Sequence, residues 1–152
     1  LRRRLVALRL AEWREGVWLR PDNLDPIGGT GPEGCTWWTG AMPAAGGDGP
    51  AALAATLWDL AAWTRGAEEL RAAMEATTPD RIAAGFRVAA AVVRHLRDDP
   101  LLPAELLPTD WPGDRLRSDY DVYEHAFQAA LAPVLQEARP GEPAISDASR
   151  RP

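Results

Sequence analysis

His95 and His125 are the two histidines of the chain, and both have acids close by: Asp98 and Asp99 follow the first, and Glu124 precedes the second. A metal centre needs three or four convergent ligands, and neither a His-x3-His nor a His-Glu-x2-His spacing is present. Cys35 is the single cysteine. A thiol nucleophile paired with either histidine would need a third, orienting group and an oxyanion motif, and the sequence offers neither, so Cys35 reads as a structural or surface thiol. Gly28-Gly29-Thr30-Gly31 lacks the strand-to-helix context of a dinucleotide fingerprint, and no Gly-x-Ser-x-Gly occurs. Catalysis, a metal and a cofactor are therefore not expected.

The aromatic side chains offer a different chemistry, recognition rather than catalysis. Trp58, Trp63, Trp111, Tyr120 and Tyr123 are expected to gather near one proline-rich bend, where with Arg94 they would form an apolar pocket with a cationic rim. Plain core packing with ordinary surface ion pairs explains the same residues, and the sequence leaves both readings open. Arg2, Arg3, Arg4 and Arg9 could form a phosphate-contacting patch, but the solvated face of an amphipathic helix accounts for them without a ligand.

The elements that must position these residues follow from periodicity and punctuation. The bend is the stretch from Asp98 to Gly113. Its prolines at 100, 103, 108 and 112 exclude an ordinary helix, while Leu101, Leu102, Leu106, Leu107 and Trp111 require burial. This predicts a packed, rigid corner with a helix on each side. Upstream, Leu53, Leu57, Leu60, Ala67, Leu70 and Met74 trace a helix from about Ala51 to Ala76, with Gly66 as a weak point. Thr78 and Pro79 suit the start of the next, whose predicted stripe is Ile82, Phe86, Ala89, Val93 and Leu96. Beyond the corner a third helix begins at Asp110 or Gly113, with the stripe Leu116, Tyr120, Tyr123, Phe127, Leu131 and Val134. Pro133 is expected to kink or shorten it.

The first part of the chain reads differently. Leu1, Leu5 and Leu8 give a short amphipathic helix, Val17 to Leu19 a strand, and Cys35 to Thr39 a second strand. Together these predict a mainly α protein: a helical domain over 49–137, a small α+β remnant over 1–43, and a disordered tail over 138–152.

Composition limits the function classes. Hydrophobic residues make up 46% and charged residues 26% of 152, in the globular range. A formal net charge of -5 argues against a free-standing nucleic-acid binder, which gains affinity by neutralising phosphates. A lone cysteine fits a reducing compartment, and no apolar run approaches the roughly 20 residues that span a bilayer, so a cytoplasmic, non-membrane protein is expected. The chain opens with Leu1 directly in a helical pattern, as a piece of a longer polypeptide would.

The segment from Arg94 to Gly113, with Asp99-Pro100-Leu101-Leu102-Pro103, Glu105-Leu106-Leu107-Pro108 and Trp111-Pro112-Gly113, resembles the C-terminal domain of the phenylacetic-acid degradation repressor family, PaaX. Arg14-Glu15-Gly16-Val17-Trp18-Leu19-Arg20-Pro21 resembles a strand of that family's central ferredoxin-like domain, of which residues 1–43 would be a part, and Leu57-Trp58-Asp59-Leu60 the opening of its helical C-terminal domain. The likeness extends from about Leu1 to Leu135. It implies part of a bacterial transcriptional repressor, built from an N-terminal winged helix-turn-helix, a central dimerising domain and a helical domain tied to effector sensing. It further implies a homodimer, an aromatic acyl-coenzyme A effector such as phenylacetyl-CoA, and DNA contact only through the winged helix, which this sequence lacks. On that reading Trp58, Arg94, Trp111, Tyr120 and Tyr123 bind the ligand: rings stack on the indoles and arginine pairs with phosphates. A helical protein-interaction module with no small-molecule ligand is the alternative.

Overall fold

A computed structural model of the chain describes residues 1–24, 32–41, 49–78 and 81–137. It is mainly helical, with one small antiparallel sheet near the N-terminus. Helix α1 (Arg2–Ala7) leads into a hairpin of β1 (Ala11–Arg14) and β2 (Val17–Leu19). Ala11 pairs with Leu19 and Arg14 with Val17, leaving a turn of Glu15 and Gly16. Gly16 sits at φ 74°, a left-handed conformation that glycine adopts without a Cβ penalty, which lets two strands join through so short a turn. The ladder is irregular between Glu12 and Arg14.

Arg2 is bound to this hairpin, pairing with Glu12 at 2.9 Å and lying over the Trp18 ring at 5.3 Å. The expected second strand, Cys35 to Thr39, is not one: the segment has no ladder partner, and Trp38 is 81% exposed. The sheet closes instead on Ala11–Arg14, a few residues from its partner in the chain, because a short hairpin costs far less closure entropy than a distant strand.

The bulk of the core lies among three helices, α3 (Leu60–Ala76), α4 (Ile82–Arg97) and α5 (Gly113–Glu137), each packed on the other two. Trp63, Ala67, Met74, Val92 and Leu116 are buried at its centre. A second cluster, Ala54, Leu60 and Leu102, joins α2 (Gly49–Leu57) to the corner.

Several expectations are corrected here. The helix predicted over 51–76 is two helices, because Trp58 and Asp59 interrupt it and the Asp59 carboxylate accepts a hydrogen bond from Ala62 N–H at 2.9 Å, capping α3. Gly66, by contrast, breaks nothing. On α4 the buried positions are Gly85 and Val92, with Val88 and Leu96 partly covered, whereas Phe86 is 66% and Val93 40% exposed. The inward face is thus rotated from the predicted stripe, because Gly85 brings α5 close: an added Cβ there would lie 2.6 Å from the Phe127 ring. α5 begins at Gly113 as expected and continues through Pro133 to Glu137, although Val134 is exposed rather than inward. Thr78 does not cap α4, which begins at Ile82 with Arg81 at its N-cap and no side-chain cap; Pro79 and the tail beyond residue 137 lie outside the described residues.

Candidate functional site: an aromatic stack at the corner

Helix α4 ends where Asp98 and Asp99 precede Pro100, which cannot continue a helix and biases the residue before it toward extended backbone. Asp99 is 2% exposed, and both its oxygens are used. Oδ1 accepts from Leu101 N–H at 2.9 Å, and Oδ2 accepts from the Arg117 guanidinium of α5 at 2.5 Å. Leu101 takes a left-handed φ of 53°, and its carbonyl accepts from the Asn23 side chain at 2.8 Å. Leu102 then enters the second cluster, and Leu106 and Leu107 pack against it around a single 3-10 turn, Ala104–Leu106. The proline-separated leucines are buried or half-buried, and the bend is fixed by a buried carboxylate as well as by its prolines.

Trp111 closes the corner. Its N–H donates to the Pro108 carbonyl at 3.1 Å, and Pro112 and Gly113 beside it are buried. The indole stacks on Trp63 with ring centroids 4.3 Å apart, and Trp63 stacks in turn on His95 at 4.5 Å. Three rings from the corner, α3 and α4 therefore stand in a row. Trp63 and His95 are also tied by hydrogen bonds in both directions: Trp63 Nε1–H donates to the His95 carbonyl at 3.3 Å, and His95 Nε2 lies 2.9 Å from the Trp63 carbonyl. A carbonyl can only accept, so Nε2 carries the proton. Gly66 completes the fit, since an added Cβ there would be 2.7 Å from the imidazole.

Of the five residues expected to bind ligand, Trp58 and Trp111 both pack on the second cluster, and Trp111, Tyr120 and Tyr123 on the first, so Trp111 bridges the two. Tyr123 donates its hydroxyl to the Gly85 carbonyl at 3.2 Å. Burial raises the Tyr123 phenol above its usual value, and burial followed by the Glu124 charge does the same for Tyr120. Arg94 stands apart, exposed on the outer side of α4 and outside both clusters. Tyr123 also borders a small depression of about 110 Å³ with Thr77, Thr78, Ala126 and Phe127.

The sequence presents His95 as a possible metal ligand or partner of the Cys35 thiol, and its place in the stack was missed. The available signal was its spacing on α4, which puts His95 on the same side as Val88 and Val92. His125 is exposed, its Nδ1 2.6 Å from the Asp121 carbonyl, and no group of three metal-ligating side chains occurs among the described residues. The arginine patch is partly accounted for: Arg2 pairs with Glu12, and Arg9 donates to the Arg97 carbonyl. No described helix is long and apolar enough to cross a membrane.

No curated protein matches the sequence. Among solved structures the chain is similar to the uncharacterized protein Rv0674 from Mycobacterium tuberculosis, with 41% identity and a TM-score of 0.73 over 88% of this chain. The match spans 55% of that protein, so the chain corresponds to little more than half of its relative. The family model for the PaaX-like protein C-terminal domain matches residues 55–137, which contain the capped start of α3, the corner and α5. The chain belongs to the PaaX-like family, and its helical region is that family's C-terminal domain.

Proposed function

We propose that this chain is the effector-sensing part of a PaaX-like transcriptional regulator, acting by recognition rather than catalysis, with an aromatic acyl-coenzyme A such as phenylacetyl-CoA as the effector. The observation that carries the reading is the row of three rings, His95, Trp63 and Trp111, at the junction of the two core clusters. An aromatic acyl group is flat and apolar, and it can replace one stacking partner with another at little cost.

Ligand sites for molecules of this size occupy roughly 300–1,000 Å³, well above the depression of about 110 Å³ beside Tyr123. Binding then requires the corner to part from α3, with Trp58, Trp111, Tyr120 and Tyr123 facing the acyl group and Arg94 reaching the phosphates. A ligand shifts such an equilibrium only by its differential affinity for the two arrangements, and the shift is passed to the rest of the regulator through the fixed corner. DNA contact belongs to a winged helix in the longer parent polypeptide.

Calorimetric titration of the parent protein with phenylacetyl-CoA, followed by operator binding in its presence, tests the reading. Saturable binding with a change in tryptophan emission and weaker operator affinity supports it. No binding by any aromatic acyl thioester, with operator affinity unchanged, overturns it.

A further inference from the structure

The last turn of α3 lacks the counter-charge that the last turn of α4 has. α4 ends in Arg94, His95 and Arg97, which complement the negative end of a helix dipole. α3 ends with no basic residue and with Glu75 in its final turn. The small depression beside Tyr123 lies at this uncompensated end, because Thr77, the C-cap of α3, and Thr78 form part of its lining. Arg81, the next basic residue along the chain, is not among the lining residues.

The polar part of the lining consists mainly of acceptors. The Thr77 hydroxyl donates its proton to the Ala73 carbonyl at 2.7 Å, and the Tyr123 hydroxyl donates its own to the Gly85 carbonyl at 3.2 Å. What each has left for a guest is lone pairs. Ala126 and the rings of Tyr123 and Phe127, parallel to within 2°, supply the apolar part. The space is about 110 Å³, and its rim at Thr78 and Ala126 is exposed. A closed cavity of about 150 Å³ holds a benzene ring whole, so an open one of this size has room for a single ring. A carboxylate placed here would face lone pairs and the negative end of a helix, whereas a cation would find both favourable.

We propose that the depression binds a small ammonium cation carrying one ring-sized apolar group, the chemistry of an arylalkylamine. The ammonium donates to the hydroxyl oxygens of Thr77 and Thr78 and supplies the positive charge that the end of α3 lacks. The apolar group packs against Tyr123, Ala126 and Phe127. None of the three stacked rings at the corner lines this depression, so the site stands or falls without reference to the effector.

A proton–nitrogen NMR titration of the 152-residue chain with benzylamine at neutral pH tests it, with benzyl alcohol and benzoate as neutral and anionic probes bearing the same ring. Benzylamine is expected to bind with a Kd of about 1 mM, the range open to so small a ligand, and to shift the amides of Thr77, Thr78, Tyr123 and Ala126. Benzyl alcohol should bind at least about fivefold more weakly, since it forms no charge-assisted hydrogen bond, and benzoate should not bind. Ala126→Leu fills the depression from an exposed helical position that accepts leucine, and should weaken benzylamine at least about tenfold. Thr78→Val, also at an exposed position, should weaken it at least about threefold. Circular dichroism confirms that both variants are folded. No saturable shift up to about 20 mM benzylamine, benzyl alcohol or benzoate binding as tightly, shifts confined to other residues, or an affinity unchanged in either variant would each overturn the proposal.

Discussion

At the scale of single residues, Asp99 carries the most consequence for its size. It is the one buried charged residue in the described core, and it satisfies a backbone N–H and a guanidinium at once. Asp99→Ala is expected to cost about 2–3 kcal/mol, since it leaves Leu101 N–H unpaired in a buried place and removes a charge-assisted bond. Asp99→Asn retains the first interaction and weakens the second, and because Arg117 is itself partly solvated its loss should be smaller, about 1 kcal/mol. Urea unfolding of the two variants beside wild type measures the difference. The tyrosines give a second expectation. Burial disfavours the phenolate of Tyr120 and Tyr123, so the folded chain holds those protons more tightly than the unfolded one. The resulting stability is complete below the usual phenol value near pH 10 and is lost as pH rises through the higher folded values. Denaturation midpoints measured from pH 8 to 12 should fall above 10, and Tyr120→Phe should flatten that fall.

At the scale of elements, Trp111 couples the corner and α2 to the three-helix core, because it packs on both clusters. Trp111→Ala is expected to cost about 3–5 kcal/mol and to separate the unfolding of α2 and the corner from that of α3, α4 and α5. Hydrogen exchange would show amides of Ala54 to Leu57 opening at lower free energy than those around Val92 and Leu116, whereas the wild-type chain is expected to open them together. The corner was legible in the sequence because proline and leucine make opposite demands that only a buried bend satisfies. The start of α5 was legible for the same reason, from Trp111-Pro112-Gly113. The interruption at Asp59 was not, since the apolar period runs straight through Leu57 and Leu60, and only the short polar side chain before Leu60 signals a cap. The inward face of α4 was misread because hydrophobic periodicity gives glycine no weight, while packing gave Gly85 the central position and left Phe86 outside. Likewise, the grouping of Trp58, Trp111, Tyr120 and Tyr123 follows from the corner. The exposure of Arg94 follows from the true inward face of α4, which periodicity had rotated.

At the scale of the whole molecule, the N-terminal hairpin region meets the helices where β1 packs on α2 and through a few polar contacts. Arg9, itself at a left-handed φ of 66°, donates to the Arg97 carbonyl at the end of α4, and Asn23 donates to the Leu101 carbonyl in the corner. Leu101 is thus held in its left-handed conformation from two directions, by Asp99 within the corner and by Asn23 from outside it. In thermodynamic terms, the segment bearing Asn23 behaves as an inhibitor tethered to its own receptor, present at the effective concentration its covalent connection imposes. Whatever free energy that clasp contributes to the bent form must be returned by any agent that straightens it, and reciprocity requires that the same agent loosen the hairpin by an equal amount.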